Sequence, residues 1–173
     1  MSEMDDSKKI GKAMLWMTWL ILFCLLVWFF QDVLDKQWNP NTAPEIGLSE
    51  DGNATVTLEQ NKYGHYVTMG SINDTNVIFL LDTGATHVSI PEQVAQHLDL
   101  PVQGSHYVQT ANGSVKVYET VIEQLSIGNI ILYNVRANIN PGMKSNEILL
   151  GMSALKQLEF HQSGKYLHLS EQR

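Results

Sequence analysis

Phe79-Leu80-Leu81-Asp82-Thr83-Gly84-Ala85-Thr86 is the stretch on which the reading of this sequence turns. A continuous apolar run ends in an aspartate, and Thr-Gly follows at once. Asp-x-Gly after a strand is an ordinary turn, and so short a match arises by chance too often to carry weight alone. Its surroundings add the weight. About 70 residues on, Ile148-Leu149-Leu150-Gly151 is a second apolar run closed by glycine, and a short helical stretch, Ser153 to Leu158, follows it. Between the two lies Ala111-Asn112-Gly113-Ser114, and Asn-Gly between β-prone segments is the strongest short-range hairpin signal.

Working outward, the chain from Tyr63 on reads as short β-rich runs separated by turn residues. Tyr66 to Met69 and Val77 to Leu81 flank Asn73-Asp74-Thr75 as a hairpin. Val88-Ser89-Ile90 is a short strand, and Pro91 opens a short helix carrying Val94, Ala95 and Leu98. Tyr107 to Thr110 and Val115 to Val121 flank the Asn-Gly turn. A further hairpin turns at Gly128-Asn129 into Ile130 to Ile139, a loop spans Asn140 to Glu147, and Ser163-Gly164 leads into a last strand, Tyr166 to Leu169. The expectation is a mostly β domain over residues 62–173 with one or two short helices, large enough to hold its own core.

The order of acid loop, hairpin, apolar-apolar-Gly and helix is that of a single pepsin-like lobe. From about Gly64 to Leu169 the sequence resembles the bacterial, membrane-anchored retropepsin-like aspartic proteases of clan AA. The matching stretches are Gly64-His65-Tyr66-Val67, the Asp82 segment, Thr110-Ala111-Asn112-Gly113 and Leu149-Leu150-Gly151-Met152-Ser153. The resemblance implies a closed, β-barrel-like acid-protease lobe, a homodimer, and hydrolysis of peptide or protein substrates in the periplasm. It implies Asp82 as the catalytic residue, with Thr83 bonding across the dimer axis and Gly84 and Ala85 supporting the loop. Ala111, Asn112, Gly113 and Ser114 become the flap over substrate. Leu149 and Leu150 are expected to pack beneath the acid loop, and Gly151 to sit at a close approach.

The chemistry asks for these residue types independently. Hydrolysis of a peptide bond without metal or covalent intermediate needs one group to take a proton from water and another to protonate the carbonyl oxygen. Two carboxylates about 3 Å apart do both, because they cannot both ionise and so share a proton. The chain holds one Asp-Thr-Gly, so the second carboxylate is expected from another copy, related by a two-fold axis. The reading of a different class is a non-catalytic module that binds an extended peptide in the same groove. Ser89 and Ser153 lie outside any Gly-x-Ser-x-Gly, which argues against a serine hydrolase.

The N-terminal third localises the protein. Ala13 to Phe30 carries no charge, and a helix of that length extends about 27 Å, enough for a bilayer core with its flanks. Trp16, Trp19 and Trp28 sit toward the ends, where indoles favour the interface. Lys8, Lys9 and Lys12 precede the run while Lys36 alone follows closely. The positive-inside bias therefore predicts residues 1–12 in the cytoplasm, 13–30 across the inner membrane and the rest in the periplasm. No small-x-small site follows the run, and Phe23 precedes Cys24, so neither a cleaved signal nor a lipoprotein signal is expected. Residues 31–61, polar and punctuated by Pro and Gly, are expected to be a flexible tether.

Composition narrows the partners. A net charge of -7 argues against nucleic acid, which calls for a basic face. One cysteine excludes an intrachain disulfide. Six histidines fall into no ligand spacing, so no metal or other cofactor is expected. Asn53, Asn73 and Asn112 open Asn-x-Ser/Thr sequences, which matter only in a eukaryotic secretory host.

Overall fold

Residues 3–110 and 113–172 are described by the computed structural model. The chain divides into two units, residues 1–37 and 38–173. The first is helical. Helix α1 (Glu3–Trp38) has its apolar residues distributed all round rather than along one stripe. Within it, Gly11–Trp38 has a mean hydropathy of 2.3 over its most apolar window and is long and apolar enough to cross a membrane. Its 28 residues extend about 42 Å at 1.5 Å each.

The second unit is built of strands. In chain order they are β1 (Glu45–Leu48), β2 (Ala54–Glu59), β3 (Val67–Ile72), β4 (Thr75–Leu81), β5 (Val88–Pro91), β6 (Gly104–Thr110) and β7 (Gly113–Ile127). There follow β8 (Ile130–Asn140), β9 (Ile148–Leu150), β10 (Leu158–Ser163) and β11 (Tyr166–Glu171). Two short helices, α2 (Glu92–His97) and α3 (Met152–Leu155), punctuate them. A seven-stranded sheet runs β3-β4-β9-β5-β8-β7-β6, and β3 also pairs with β7, so the sheet closes on itself. The closure is tight: Ser71 and Ser126 face each other with their hydroxyls 2.7 Å apart. A Cβ on Gly70 would lie 2.3 Å from the Ser126 carbonyl oxygen and 2.6 Å from the Phe79 ring, so only glycine fits at the seam. Phe79, Ile90, Ile122, Leu125, Ile148 and Leu150 are wholly buried inside. Asn73 and Asp74, at φ 46° and 65°, form the β3–β4 turn. Positive φ at both central residues is the hairpin geometry whose twist suits the flanking strands.

The remaining four strands form a second sheet in the order β1-β2-β11-β10. Here the expectation of a tether over residues 31–61 is corrected. Helix α1 continues to Trp38, and β2 lies hydrogen-bonded between β1 and β11 with Val56 and Leu58 buried. The chain between helix and strands is held by buried asparagines. Asn41 donates from Nδ2 to the carbonyls of Glu59 (2.8 Å) and Val67 (2.7 Å), and its Oδ1 accepts from Glu59 N–H (2.7 Å). Asn61 bonds the Trp38 carbonyl and accepts from Tyr63 and His65. A second correction concerns the helix expected over Ser153 to Leu158: α3 ends at Leu155, and Leu158 begins β10.

Candidate active site

The parallel pairing of β4 with β9 positions Asp82. Phe79, Leu80 and Leu81 lie beside Ile148, Leu149 and Leu150 in register, so the two apolar runs of the sequence end together. Asp82 follows β4 directly and donates its backbone N–H to the Leu150 carbonyl at 3.2 Å. Past the aspartate the chain turns back on itself: Ala85 N–H reaches the Asp82 carbonyl (3.2 Å), and Gly84 N–H donates to Asp82 Oδ1 (2.9 Å). A charged acceptor fixed by a backbone N–H has a set direction. The loop is then tied to the second run, because Met152 N–H donates to the Ala85 carbonyl at 2.8 Å. Ser153 Oγ accepts from Val88 N–H (2.9 Å) and donates to the Arg136 carbonyl (2.7 Å), joining α3, β5 and β8 beneath the loop.

Thr83 and Gly84 are exposed and Asp82 is half-buried, so the carboxylate and the residue after it face outward from a rigid base. Gly151 sits hard against that base: a Cβ there would lie 2.3 Å from the His87 carbonyl oxygen and 2.7 Å from that of Ala85. Leu150 is buried, whereas Leu149 is half-buried and turns into the cleft beside Asp82. The expectation that Leu149 packs in the core beneath the loop is corrected accordingly, because successive residues of a strand face opposite ways.

A cleft of about 590 Å³ opens over Asp82. Leu149, Ser89 and Asn138 line it, as do Val108, Thr110 and Val115 of the β6–β7 hairpin. The hairpin pairs Thr110 with Gly113, and Thr110 Oγ1 donates to the Gly113 carbonyl at 2.8 Å. Of the four expected flap residues, Ala111 and Asn112 lie outside the described residues. Gly113 and Ser114 open β7, with Ser114 exposed. Among the cleft residues that reading the sequence missed are Val108, Thr110, Val115, Ser89 and Asn138. Alternation on either side of the Asn-Gly turn held the signal for the first three.

Residues 68–157, just over half of the chain, match the model of the family described as "gag-polyprotein putative aspartyl protease". The chain is 31% identical over 126 residues to an uncharacterized protein in the cobV 5′ region of Sinorhizobium sp, covering 71% of this chain and 54% of that protein. It is 28% identical over 108 residues to uncharacterized protein RP867 of Rickettsia prowazekii (strain Madrid E), covering 60% and 46% respectively. The chain thus spans about half the length of the curated relatives it matches. Among solved structures, a retropepsin-like aspartic protease from Rickettsia conorii superposes with a TM-score of 0.58 at 24% identity, covering 66% of this chain and 98% of that one. That likeness is one of fold.

Proposed function

Since this chain belongs to the gag-polyprotein aspartyl protease family, with a retropepsin-like fold, we propose that it is an aspartic endopeptidase whose active site forms from two copies. The observation that carries the reading is the half-buried Asp82, held by Gly84 N–H and lining a cleft of about 590 Å³. Asp82 of one copy, ionised, takes a proton from water, and the water oxygen attacks the scissile carbonyl carbon. Asp82 of the second copy, protonated, gives its proton to the carbonyl oxygen. Collapse of the tetrahedral intermediate breaks the C–N bond: the amine leaves with the proton held by the first Asp82, and one hydroxyl of the intermediate returns its proton to the ionised Asp82 of the second copy, which restores a pair with one proton. The shared proton calls for acidic conditions, and the apparent pKa values belong to the pair. Exposed Thr83 is the residue set to bond its counterpart across the axis, and the hairpin from Thr110 to Ser114 is the flap that keeps water out.

The test is cleavage of a diverse peptide mixture by the full chain in detergent micelles between about pH 4 and 7, the range in which a carboxylate dyad exchanges its proton. Mass spectrometry reads the new termini. Wild type is expected to cut and Asp82→Asn not to; equal cutting by both, or by neither when a dimer is present, defeats the reading. In the latter case Asp82→Asn and wild type are compared for peptide binding, since a binding module keeps its affinity without the carboxylate.

The apolar helix is read as a single-pass anchor of the inner membrane, with the preceding lysines cytoplasmic and the β domain periplasmic. A C-terminal alkaline phosphatase fusion is expected to be active and a C-terminal green fluorescent protein fusion dark. The opposite pair of results reverses the topology.

A further inference from the structure

Between Arg136 and Asn140, every second residue of β8 faces the cleft side of the sheet. Asn140 and Asn138 line the cleft over Asp82, and the next residue on that face is Arg136. Two residues of strand advance about 7 Å, so Arg136 stands one extended-peptide side-chain repeat beyond Asn138. It lies in a smaller groove of about 230 Å³ that shares His87 and Asn138 with the main cleft. The strand register brings the other charged groups there. Glu119 of β7 pairs with Asn138 and Val121 with Arg136, and His106 of β6 reaches across to Glu119 with its Nδ1 2.8 Å from Oε1.

The groove holds a cation in an acidic chain. Arg136 is one of two arginines in a sequence of net charge -7. His106–Glu119 and Lys165–Glu59 are ion pairs, whereas Arg136 has no carboxylate within 4 Å among the described residues. The carboxylate facing the groove, Glu119, is engaged by His106. His87 is held below the usual histidine range by burial, then by Arg136, His106 and Lys156, while Glu119 opposes.

Resting on the reading of the cleft as a peptide site, we propose that this groove is a substrate subsite that selects an acidic side chain, with Arg136 as its specificity-determining residue. A peptide lying extended in the cleft sends alternate side chains the same way. One of them, outside the pair flanking the cut, meets the guanidinium of Arg136 with the imidazoles of His87 and His106 beside it. Arg136 is solvent-exposed, so the preference for Glu over Gln at that position is expected to be roughly three- to tenfold, the range of a charge-assisted contact in partial solvent.

The experiment has two arms on the full chain in micelles, with hexapeptide pools carrying Glu or Gln at each position in turn. In the first, Asp82→Asn removes turnover, and side-chain NMR of His87 and His106 reads binding. Glu pools at one position are expected to move both imidazoles and raise the His87 midpoint. Adding Arg136→Gln is expected to abolish the difference from Gln pools, and Glu119→Gln to enlarge it. Pools that act alike, or a preference that survives Arg136→Gln, overturn the subsite. In the second arm the same pools are offered to the protein with Asp82 intact. A Glu preference in binding without cleavage keeps the subsite and overturns the protease. Cleavage indifferent to Glu and to Arg136→Gln overturns the subsite and keeps the protease.

Discussion

Gly151 bears more of the steric demand of the site than Gly84, the glycine beside the aspartate. A Cβ at position 84 would meet Asp82 Oδ1 at 3.2 Å, a side-chain atom, whereas at 151 it would meet backbone atoms of His87 and Ala85 at 2.3 to 2.7 Å. Backbone tied into the acid loop, as the Ala85 carbonyl is by Met152 N–H and Ala85 N–H by the Asp82 carbonyl, yields less than a side chain. Gly151→Ala is therefore expected to cost about 1–3 kcal/mol by overpacking and to displace the acid loop, whereas Gly84→Ala is expected to cost less. Urea unfolding of the two variants checks the ranking, and an unchanged midpoint for Gly151→Ala would show that the loop gives way. His87 makes a second prediction. Its lowered pKa means that below about pH 6.5, the ordinary histidine value, the unfolded chain binds a proton that the folded chain refuses. Stability then rises with pH: the contribution is whole above that value and is lost as pH falls to the folded pKa. On moving from pH 7.5 to 5, wild type is expected to lose more unfolding free energy than His87→Gln, and equal losses would remove His87 as the cause. Asp82 and Gly151 were legible because each closes an apolar run. The inward turn of Leu149 was not, since three apolar residues in a row do not say which one faces solvent.

Strand β2 shows how an element hides. Its buried Val56 and Leu58 alternate with Thr55 and Thr57, a period-2 signal, but Asp51-Gly52-Asn53 before it and Gln60-Asn61 after it read as loop. Strand β1 is exposed along its whole length, and in β10 Leu158 alone is buried. Strands without an inner face carry no alternation and exist through their partners, β2 and β11. The hairpins at Asn73-Asp74 and Gly128-Asn129 were legible because turn chemistry is local. Two tests follow at this scale. Asn41→Ala leaves three backbone groups of Glu59 and Val67 without their partners. At about 1–3 kcal/mol for each group left buried and unpaired, a loss of several kcal/mol is expected on thermal or urea unfolding. A chain beginning at Lys62 lacks β1 and β2, strips the cover from one edge of β11 and exposes a sheet edge open to aggregation. It is expected to be insoluble, while a chain beginning at Trp38 is expected to give a dispersed amide NMR spectrum. A folded, soluble protein from Lys62 would show the second sheet to be dispensable.

For the molecule as a whole, the decisive question is whether one copy suffices. Each chain carries a single Asp-Thr-Gly, and one carboxylate cannot both accept and deliver the proton in the same step. On the proposal that the helix is an anchor, holding two copies in one bilayer would raise their effective concentration without any new contact, and the pairing surface itself would need to bind only weakly. The consequence is a particular arithmetic of mixing. If wild type and Asp82→Asn chains exchange freely at equal amounts in the same micelles, random pairing leaves about one quarter of the pairs with two carboxylates, as an isologous dimer requires. Activity is then expected at about one quarter of that of wild type at the same total protein, and at constant composition it should rise faster than linearly as detergent is diluted and copies meet. Were each chain complete in itself, the mixture would retain about half, and dilution of detergent would leave activity per chain unchanged. A value near one half therefore excludes the shared site whatever the peptide used, because the ratio depends on how carboxylates are counted and not on how well the substrate fits.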